Sequence, residues 1–127
     1  MKILSAGRTS VERAALSVAR ELGLPTEGRC PINQDYHTAV EHNVSAADGT
    51  LVLTWSRMPR FWVPTMYAIL CSSKPSMGVA VRDQQYIEAT HDWFRRDRIE
   101  VLHVTGHVSF SAAKVFLRAV LNDEAGG

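Results

Sequence analysis

The stretch that decides the fold spans residues 2–16 and has the sequence KILSAGRTSVERAAL. Residues 2–6 form a short apolar run that favours a buried strand. From Val11 to Leu22, apolar residues recur at the spacing of an amphipathic helix. Thr9 stands at the N-cap position and Glu12 follows three residues later, which is the capping-box pattern. Because Gly7 lets the backbone turn sharply, the stretch predicts a strand, a glycine turn and a helix.

The start of this helix is suited to an anion. The first N–H groups of a helix have no partner within the helix and carry a partial positive charge, and Arg8 adds a full one. An ordinary, well-capped turn between strand and helix explains the same residues, since the fuller glycine fingerprints of nucleotide sites are missing. Both interpretations are open at this point.

Length and composition bound the class of protein. The 127 residues predict one domain, spanning 1–127, with a substantial core. A net charge of +1 predicts no general attraction to nucleic acid or to an anionic membrane. We find no apolar run of membrane-spanning length and no signal peptide before the first strand, so we expect a cytoplasmic protein with reduced thiols. Neither the two cysteines, Cys30 and Cys71, nor the five histidines have metal-site spacing, so no metal site is expected.

The rest of the chain alternates strands with helices. After the first helix, which Gly23 and Pro25 end, residues 25–30 are predicted to form a short strand or an extended connection. Further strands are predicted at 50–54, 77–81 and 101–105. The helices between and after them are predicted at 35–47 (capped by Asp35), 64–73, 84–96 and beyond Gly106, with a tail that frays from Asn122. This alternation predicts an α/β domain with a mainly parallel sheet of about five strands and right-handed crossovers.

Ligands of parallel sheets bind beyond the carboxyl ends of the strands. Three strand exits are polar here and supply hydroxyls, helix N–H groups and cations, and none carries a carboxylate. This pattern favours a phosphate or another oxyanion over acid–base chemistry, although such loops are commonly polar in any case. The candidate ligand residues are Gly7, Arg8, Thr9 and Ser10 at the first exit, Thr54, Ser56 and Arg57 at the second, and Gly106, His107 and Ser109 at the third.

The loop 55–62 is rich in large side chains. Trp55, Met58, Phe61 and Trp62 either stack on a flat heterocycle, or pack under a neighbouring helix, or form a subunit interface. His107 either meets an anion or is a surface residue. His103 alternates with core residues of a strand, so we predict a structural role for it. Cys30 and Cys71 are interpreted as packing residues.

Several blocks of sequence carry a family resemblance. They are residues 6–16, Gly28-Arg29-Cys30-Pro31, Glu41-His42-Asn43-Val44, Asp48-Gly49-Thr50-Leu51 and Leu102-His103-Val104-Thr105-Gly106. With them the chain resembles the putative molybdenum carrier family, the circularly permuted branch of the SLOG Rossmann-like superfamily. The family opens with Gly-Gly-x-Thr-Gly-x-Asp-Arg-Ala-Ala-Leu, which this chain matches at Gly7, Thr9, Arg13, Ala14, Ala15 and Leu16.

The resemblance implies a Rossmann-like three-layer sandwich that binds a nucleotide-type or phosphorylated ligand, with molybdenum cofactor as the family's suggested cargo. The chain departs from the family in three places. The acidic loop after Gly28-Arg29-Cys30-Pro31 is missing, and the element after the last strand has become His107-Val108-Ser109-Phe110. The second glycine-rich turn has become Val63-Pro64-Thr65, in which Thr65 is retained as a candidate ligand residue.

Two other functions stay open. The first is an enzyme that cleaves N-glycosidic bonds, of the nucleosidase or deoxyribosyltransferase type, for which a carboxylate is needed. Glu12 is the nearest candidate for that role, although helix capping is its simpler task. The second is a module without ligand, in which the aromatic loop 55–62 mediates homo-oligomer formation or partner binding.

Overall fold

The structure is a computed structural model, and it describes residues 1–28, 35–55 and 63–125, with the side chains of 63–65 and 125 outside the description. The strands are β1 Lys2–Leu4, β2 Thr26–Glu27, β3 Gly49–Thr54, β4 Ser76–Ala80 and β5 Val101–Gly106. The helices are α1 Ser10–Leu22, α2 Tyr36–Ala46, α3 Val63–Cys71, α4 Gln85–Arg96 and α5 Phe110–Ala125. No helix in these ranges is both long enough and apolar enough to cross a membrane.

The five strands form one parallel sheet in the order β2-β1-β5-β3-β4. The central strand β5 pairs with β1 and β3, so that His103 stands between Leu4 and Thr50. Helices α1, α4 and α5 pack on one face of the sheet, and α2 and α3 pack on the other. The predicted Rossmann-like α/β sandwich is therefore confirmed.

The two helical layers bury different amounts of apolar surface. Side chains of α1, α4 and α5 share a large core with the inward residues of the strands, among them Leu51, Leu53 and Leu102. On the opposite face, the described residues form a smaller core between α2, α3 and β3, made of Val40, Val44, Val52 and Ile69 with Tyr36 and Met66 packed against it. The sheet presents buried polar residues on this second face, namely Thr50, His103 and Thr105. The α2–α3 layer is thus held by a smaller hydrophobic contribution.

Some predicted boundaries were wrong. The first strand ends at Leu4 rather than at residue 6. Within 25–30, where a short strand or an extended connection was expected, the strand is Thr26–Glu27, and residues 29 and 30 lie outside the described residues. The predicted fraying from Asn122 was also wrong, because α5 continues to Ala125 beyond the fully buried Val120 and Leu121. Asp35 does stand at the N-cap of α2, but its side chain makes no capping hydrogen bond.

An ion cluster joins α1 to α5 on the surface. The Glu21 carboxylate accepts hydrogen bonds from Arg118 and from Lys114, with distances from nitrogen to oxygen of 2.8 to 2.9 Å. The Arg118 guanidinium, with help from Lys114, lowers the pKa of Glu21 to about 2. Because this cluster is exposed, we treat it as a link between the helices and not as a main source of stability.

His103 is structural, as predicted from its position in the strand. It is completely buried, and its Nδ1 lies 3.2 Å from Thr50 Oγ1. Its Nε2 has no hydrogen-bond partner among the described residues. Burial disfavours the charged imidazolium and lowers the pKa of His103 to about 4.

This lowered pKa makes stability depend on pH. The unfolded chain takes up the His103 proton near its ordinary pKa of 6.5, whereas the folded protein resists it down to about 4. Neutral His103 therefore makes its full contribution to the free energy of unfolding above pH 6.5. This contribution is lost as the pH falls towards 4, which lowers the free energy of unfolding by up to about 3 kcal/mol. We expect urea unfolding to show this loss in the wild type and not in His103→Gln, and NMR to place the His103 midpoint near 4. A midpoint near 6.5 would refute the burial argument.

Candidate functional site

The carboxyl edge of the sheet brings three strand exits together. Because β1, β5 and β3 are consecutive neighbours in the sheet, the residues that follow them emerge side by side. The contact between β5 and β3 is particularly close, since the amide of His107 donates to the carbonyl oxygen of Leu53 at 2.9 Å. The three exits that the sequence singles out are thus adjacent in space, at the edge where parallel sheets bind ligands.

The first exit is closed by the capping box. Thr9 Oγ1 accepts from the amide of Glu12 at 3.2 Å, and Glu12 Oε1 accepts from the amides of Thr9 at 2.9 Å and Arg8 at 3.2 Å. The predicted cap is confirmed. Its geometry also corrects one expectation: the amides of Arg8 and Thr9 already bind an internal carboxylate, so they are not available to a ligand.

The second oxygen of Glu12 reaches two other elements. Glu12 Oε2 accepts from the Tyr36 hydroxyl, at the start of α2, at 2.7 Å, and from the Thr105 hydroxyl, at the end of β5, at 3.2 Å. The Glu12 side chain is completely buried. The expectation that no strand exit carries a carboxylate is therefore wrong, because this carboxylate lies beneath the first exit. The capping-box spacing was the signal, since it directs the glutamate side chain back into the turn.

The third exit leads into a second helix start beside the first. Ser109 caps α5: its Oγ accepts from the amide of Ala112 at 3.2 Å, and its carbonyl accepts from the amide of Ala113 at 3.0 Å. The first two amides of each helix, Ser10 and Val11 in α1 and Phe110 and Ser111 in α5, have no acceptor within the helix. Two positive helix ends therefore lie on neighbouring strands of the same edge.

Several predicted ligand hydroxyls already have structural partners. Thr9 and Ser109 cap their helices, and Thr54 Oγ1 donates to the carbonyl of Val79 at 3.3 Å. Trp55 follows β3 and is half-buried, with the guanidinium carbon of Arg82 at 4.5 Å from its ring centroid. The predicted Ser56, Arg57, Met58, Phe61 and Trp62, the side chain of Thr65, and Cys30 lie outside the described residues.

Basic side chains surround this edge. Arg8 is exposed beside the first turn, and the Arg13 guanidinium donates to the Arg8 carbonyl at 2.7 Å. Arg82 lies at the exit of β4, and His107 is exposed at the exit of β5. The one acidic group in the middle of the edge, among the described residues, is Glu12, whose charge is compensated by two amides and two hydroxyls. Two exposed carboxylates also lie at this edge, Asp35 before α2 and Asp83 after β4. The exposed positive groups of the described residues are therefore concentrated at the exits of β1 and β5, around Arg8 and His107.

Other features of the described residues lie away from this edge. A cavity of about 110 Å³ lies under α2 near the opposite end of the sheet, lined by Lys2, Glu27, His42 and their neighbours. A groove of about 360 Å³ runs between α2 and α3. Across the described ranges, no group of three or more His, Cys, Asp or Glu side chains lies close enough to hold a metal ion.

Comparison with known proteins identifies a related fold. No family model matches the chain, and no curated protein matches it either. Among solved structures, the chain is similar to the crystal structure of a "Putative molybdenum carrier protein" from Syntrophus aciditrophicus, with a TM-score of 0.80. The similarity covers 94% of both chains at 24% sequence identity. At this identity the similarity establishes the shared fold alone.

Proposed function

We propose that the protein binds a small anionic ligand, of the nucleotide or phosphorylated type, at the carboxyl edge between the exits of β1, β5 and β3. One observation carries the proposal: α1 and α5 begin side by side on neighbouring strands, with Arg8 exposed next to them. Helix N-termini and arginine side chains are the groups that proteins use most often for phosphate and other oxyanions.

The anion would lie over the first-turn amides of the two helices. The amides of Ser10 and Val11 would contribute from α1, and those of Phe110 and Ser111 from α5. Arg8 would supply the compensating charge, with His107 at the rim. At Gly106 the backbone of β5 lies very close to that of β3. This close approach keeps the third strand exit next to the second. The role of Glu12 in this arrangement is to fix the first turn, so that the remaining amides keep their direction.

Trp55 is the described side chain that could contact the part of the ligand beyond its anionic group. Trp55 lies at the exit of β3, so a flat heterocycle attached to the anionic group would extend towards its ring. A phosphorylated pterin such as molybdenum cofactor has both parts, and the structural neighbour is named as a molybdenum carrier. We therefore propose molybdenum cofactor as the first ligand to test, with nucleotides as the next. A cytoplasmic location and the absence of nucleic-acid binding stay predictions from the sequence.

The geometry of Glu12 does not favour the glycosidase alternative. Its two oxygens accept four hydrogen bonds from the protein, and its side chain is completely buried. A carboxylate that attacks a sugar or protonates a leaving group must reach the substrate. Its Oε1 caps the first turn of α1 and its Oε2 joins that turn to Tyr36 and Thr105, so all four contacts are internal to the fold.

Arginine substitutions at the two ends of α1 test the binding proposal. We expect Arg8→Ala to weaken the binding of pterin phosphate or nucleotide about tenfold, because a charge-assisted hydrogen bond is lost. Arg20→Ala is the matched control, since Arg20 is also exposed on α1 but near its other end. Isothermal titration calorimetry with ADP-ribose, ATP, molybdate and pterin phosphates measures both variants. Equal affinities in Arg8→Ala and Arg20→Ala would contradict the proposed site.

A further inference from the structure

The described side chains of helix α3 are apolar on its exposed side as well as on its buried side. Its sequence VPTMYAILC contains no charged residue. Ile69 points into the small core, and Met66 packs against it, yet Tyr67 and Leu70 are 70% and 68% exposed. A surface helix normally has one polar face, whereas a helix that is apolar all round is normally buried on more than one side. The sheet covers one side of α3. The exposure of the apolar side chains on its outer side therefore needs an explanation.

The charges of the protein are distributed unevenly over the two helical layers. Helices α1, α4 and α5 carry four charged residues each, while α2 and α3 together carry one, Glu41. Depletion of charge together with exposed aromatic and aliphatic side chains is typical of the centre of a protein interface. In the α2–α3 layer the large exposed apolar side chains are Tyr67 and Leu70 of α3, whereas the exposed positions of α2 are mostly polar. The other layer also exposes Phe110 and Val115, but among many more charged residues.

A shallow groove gives this surface its shape. It runs between α2 and α3, has a volume of about 360 Å³, and is lined by Glu41, Val44, Ser45, Tyr67, Ala68, Cys71 and Ser72. Tyr67 forms a wall of the groove and hydrogen-bonds to Cys71, which raises the pKa of the tyrosine. Leu70 projects next to it from the same helix. We call residues 36–46 together with 63–74 the α2–α3 face.

We propose that the α2–α3 face is the dimer interface of this protein and that its occupant is the same face of a second copy. The charge pattern favours self-association. The exposed charges of the face are one acidic residue, Glu41, and one basic residue, Lys74, so two copies meet without like-charge repulsion. A strongly acidic or basic partner would find no complementary charge here. In a twofold arrangement each surface patch meets itself, so Glu41 of one copy can face Lys74 of the other across the exposed Tyr67 and Leu70.

The proposal also explains the weak layer of the fold. The core under α2 and α3 is small, and the sheet face beneath it contains buried polar residues. Covering Tyr67 and Leu70 with a second copy adds apolar burial to the layer that has least of it. The proposal is independent of the ligand site, which lies at the carboxyl edge. It also differs from the predicted oligomer contact through residues 55–62.

Two substitutions at equally exposed apolar residues test the proposal. Leu70 on α3 and Val115 on α5 are both 68% exposed, so glutamate at either position leaves the cores intact. We expect the wild type to sediment at twice its chain mass of 14.1 kDa. We expect Leu70→Glu to raise the dimer dissociation constant at least about 30-fold, as loss of a central interface residue does. Val115→Glu should remain dimeric.

Sedimentation at several concentrations, with circular dichroism to verify folding, provides the measurement. Short bismaleimide cross-linking at Cys71, in a Cys30→Ser background, adds a direct test of proximity, because Cys71 lines the groove and is exposed. A wild type that stays at 14.1 kDa at high micromolar concentration overturns the proposal. A dimer that stays intact in Leu70→Glu overturns it as well. Dissociation by Val115→Glu or Trp62→Ala in place of Leu70→Glu would locate the interface elsewhere and has the same consequence.

Discussion

Replacing Glu12 with alanine lowers the free energy of unfolding by about 4 kcal/mol, which is the range seen when a buried, hydrogen-bonded charge network is broken. The substitution removes the acceptor of four hydrogen bonds. The Tyr36 and Thr105 hydroxyls and the amides of Arg8 and Thr9 then lack their partner; the Thr105 hydroxyl is buried, and the other three donors are partly buried. Buried donors without an acceptor cost far more than the same groups at the surface.

Matched variants separate this network from charge and from helix propensity. Glu12→Gln keeps an acceptor for the two amides, so we expect a loss of about 1 to 2 kcal/mol. Glu21→Ala removes a glutamate from the same helix but from an exposed ion cluster, and we expect less than about 1 kcal/mol. Urea unfolding, with the midpoint and slope compared across the three variants, gives the answer. A loss below about 1 kcal/mol in Glu12→Ala would show that the network does not hold the first turn.

The second large effect is expected at Gly106. A Cβ atom at this position would lie 2.2 Å from the carbonyl oxygen of Leu53 and 2.6 Å from its amide nitrogen, both backbone atoms of β3. Its φ of +148° is also a conformation that side chains rarely adopt. Gly106→Ala must therefore push β5 and β3 apart in the centre of the sheet. We expect it to lower the free energy of unfolding by more than about 4 kcal/mol, or to prevent folding.

Gly78 is the control for this substitution. It lies in β4, is exposed, and a Cβ atom there would have no atom within 4 Å. We expect Gly78→Ala to change the free energy of unfolding by less than about 1 kcal/mol. The change should be an increase, because alanine has less conformational freedom than glycine in the unfolded chain. Thermal and urea unfolding of both variants measure the contrast. A folded Gly106→Ala protein with wild-type stability would contradict the close approach of β5 to β3.

The sequence predicts the elements of this fold well because each one has a strong local signal. The capping box at Thr9 and Glu12 starts α1 where the structure has it, and the apolar run that includes Leu51 and Val52 becomes a central strand. Boundaries were less accurate where tertiary contacts decide them. The last helix continues beyond residue 121 because Val120 and Leu121 are anchored in the core, and no local residue pattern reports that anchoring.

The candidate site was predictable only in part. The polar character of the three exits is visible in the sequence, but their adjacency depends on a strand order that places β5 between β1 and β3. The bonds from Tyr36 and Thr105 to Glu12 join residues 24 and 93 positions apart, so no local pattern indicates them. Glu12 itself follows Thr9 by only three residues, so the capping-box spacing was the available sign that a carboxylate turns back into the first exit. Hydroxyls such as Ser109 suit a ligand and a helix cap equally well, and the structure assigns this one to a cap.

The most direct test of the central claim is an NMR titration of backbone amides with a phosphorylated pterin, with molybdate and ADP-ribose in parallel. The account predicts that at least one of these anions shifts the amides of Ser10 and Val11 together with those of Phe110 and Ser111, and that Arg8→Ala weakens the shifts. If none of the anions moves these four amides, or if the shifts fall at the cavity near Lys2 instead, the carboxyl edge is not the ligand site.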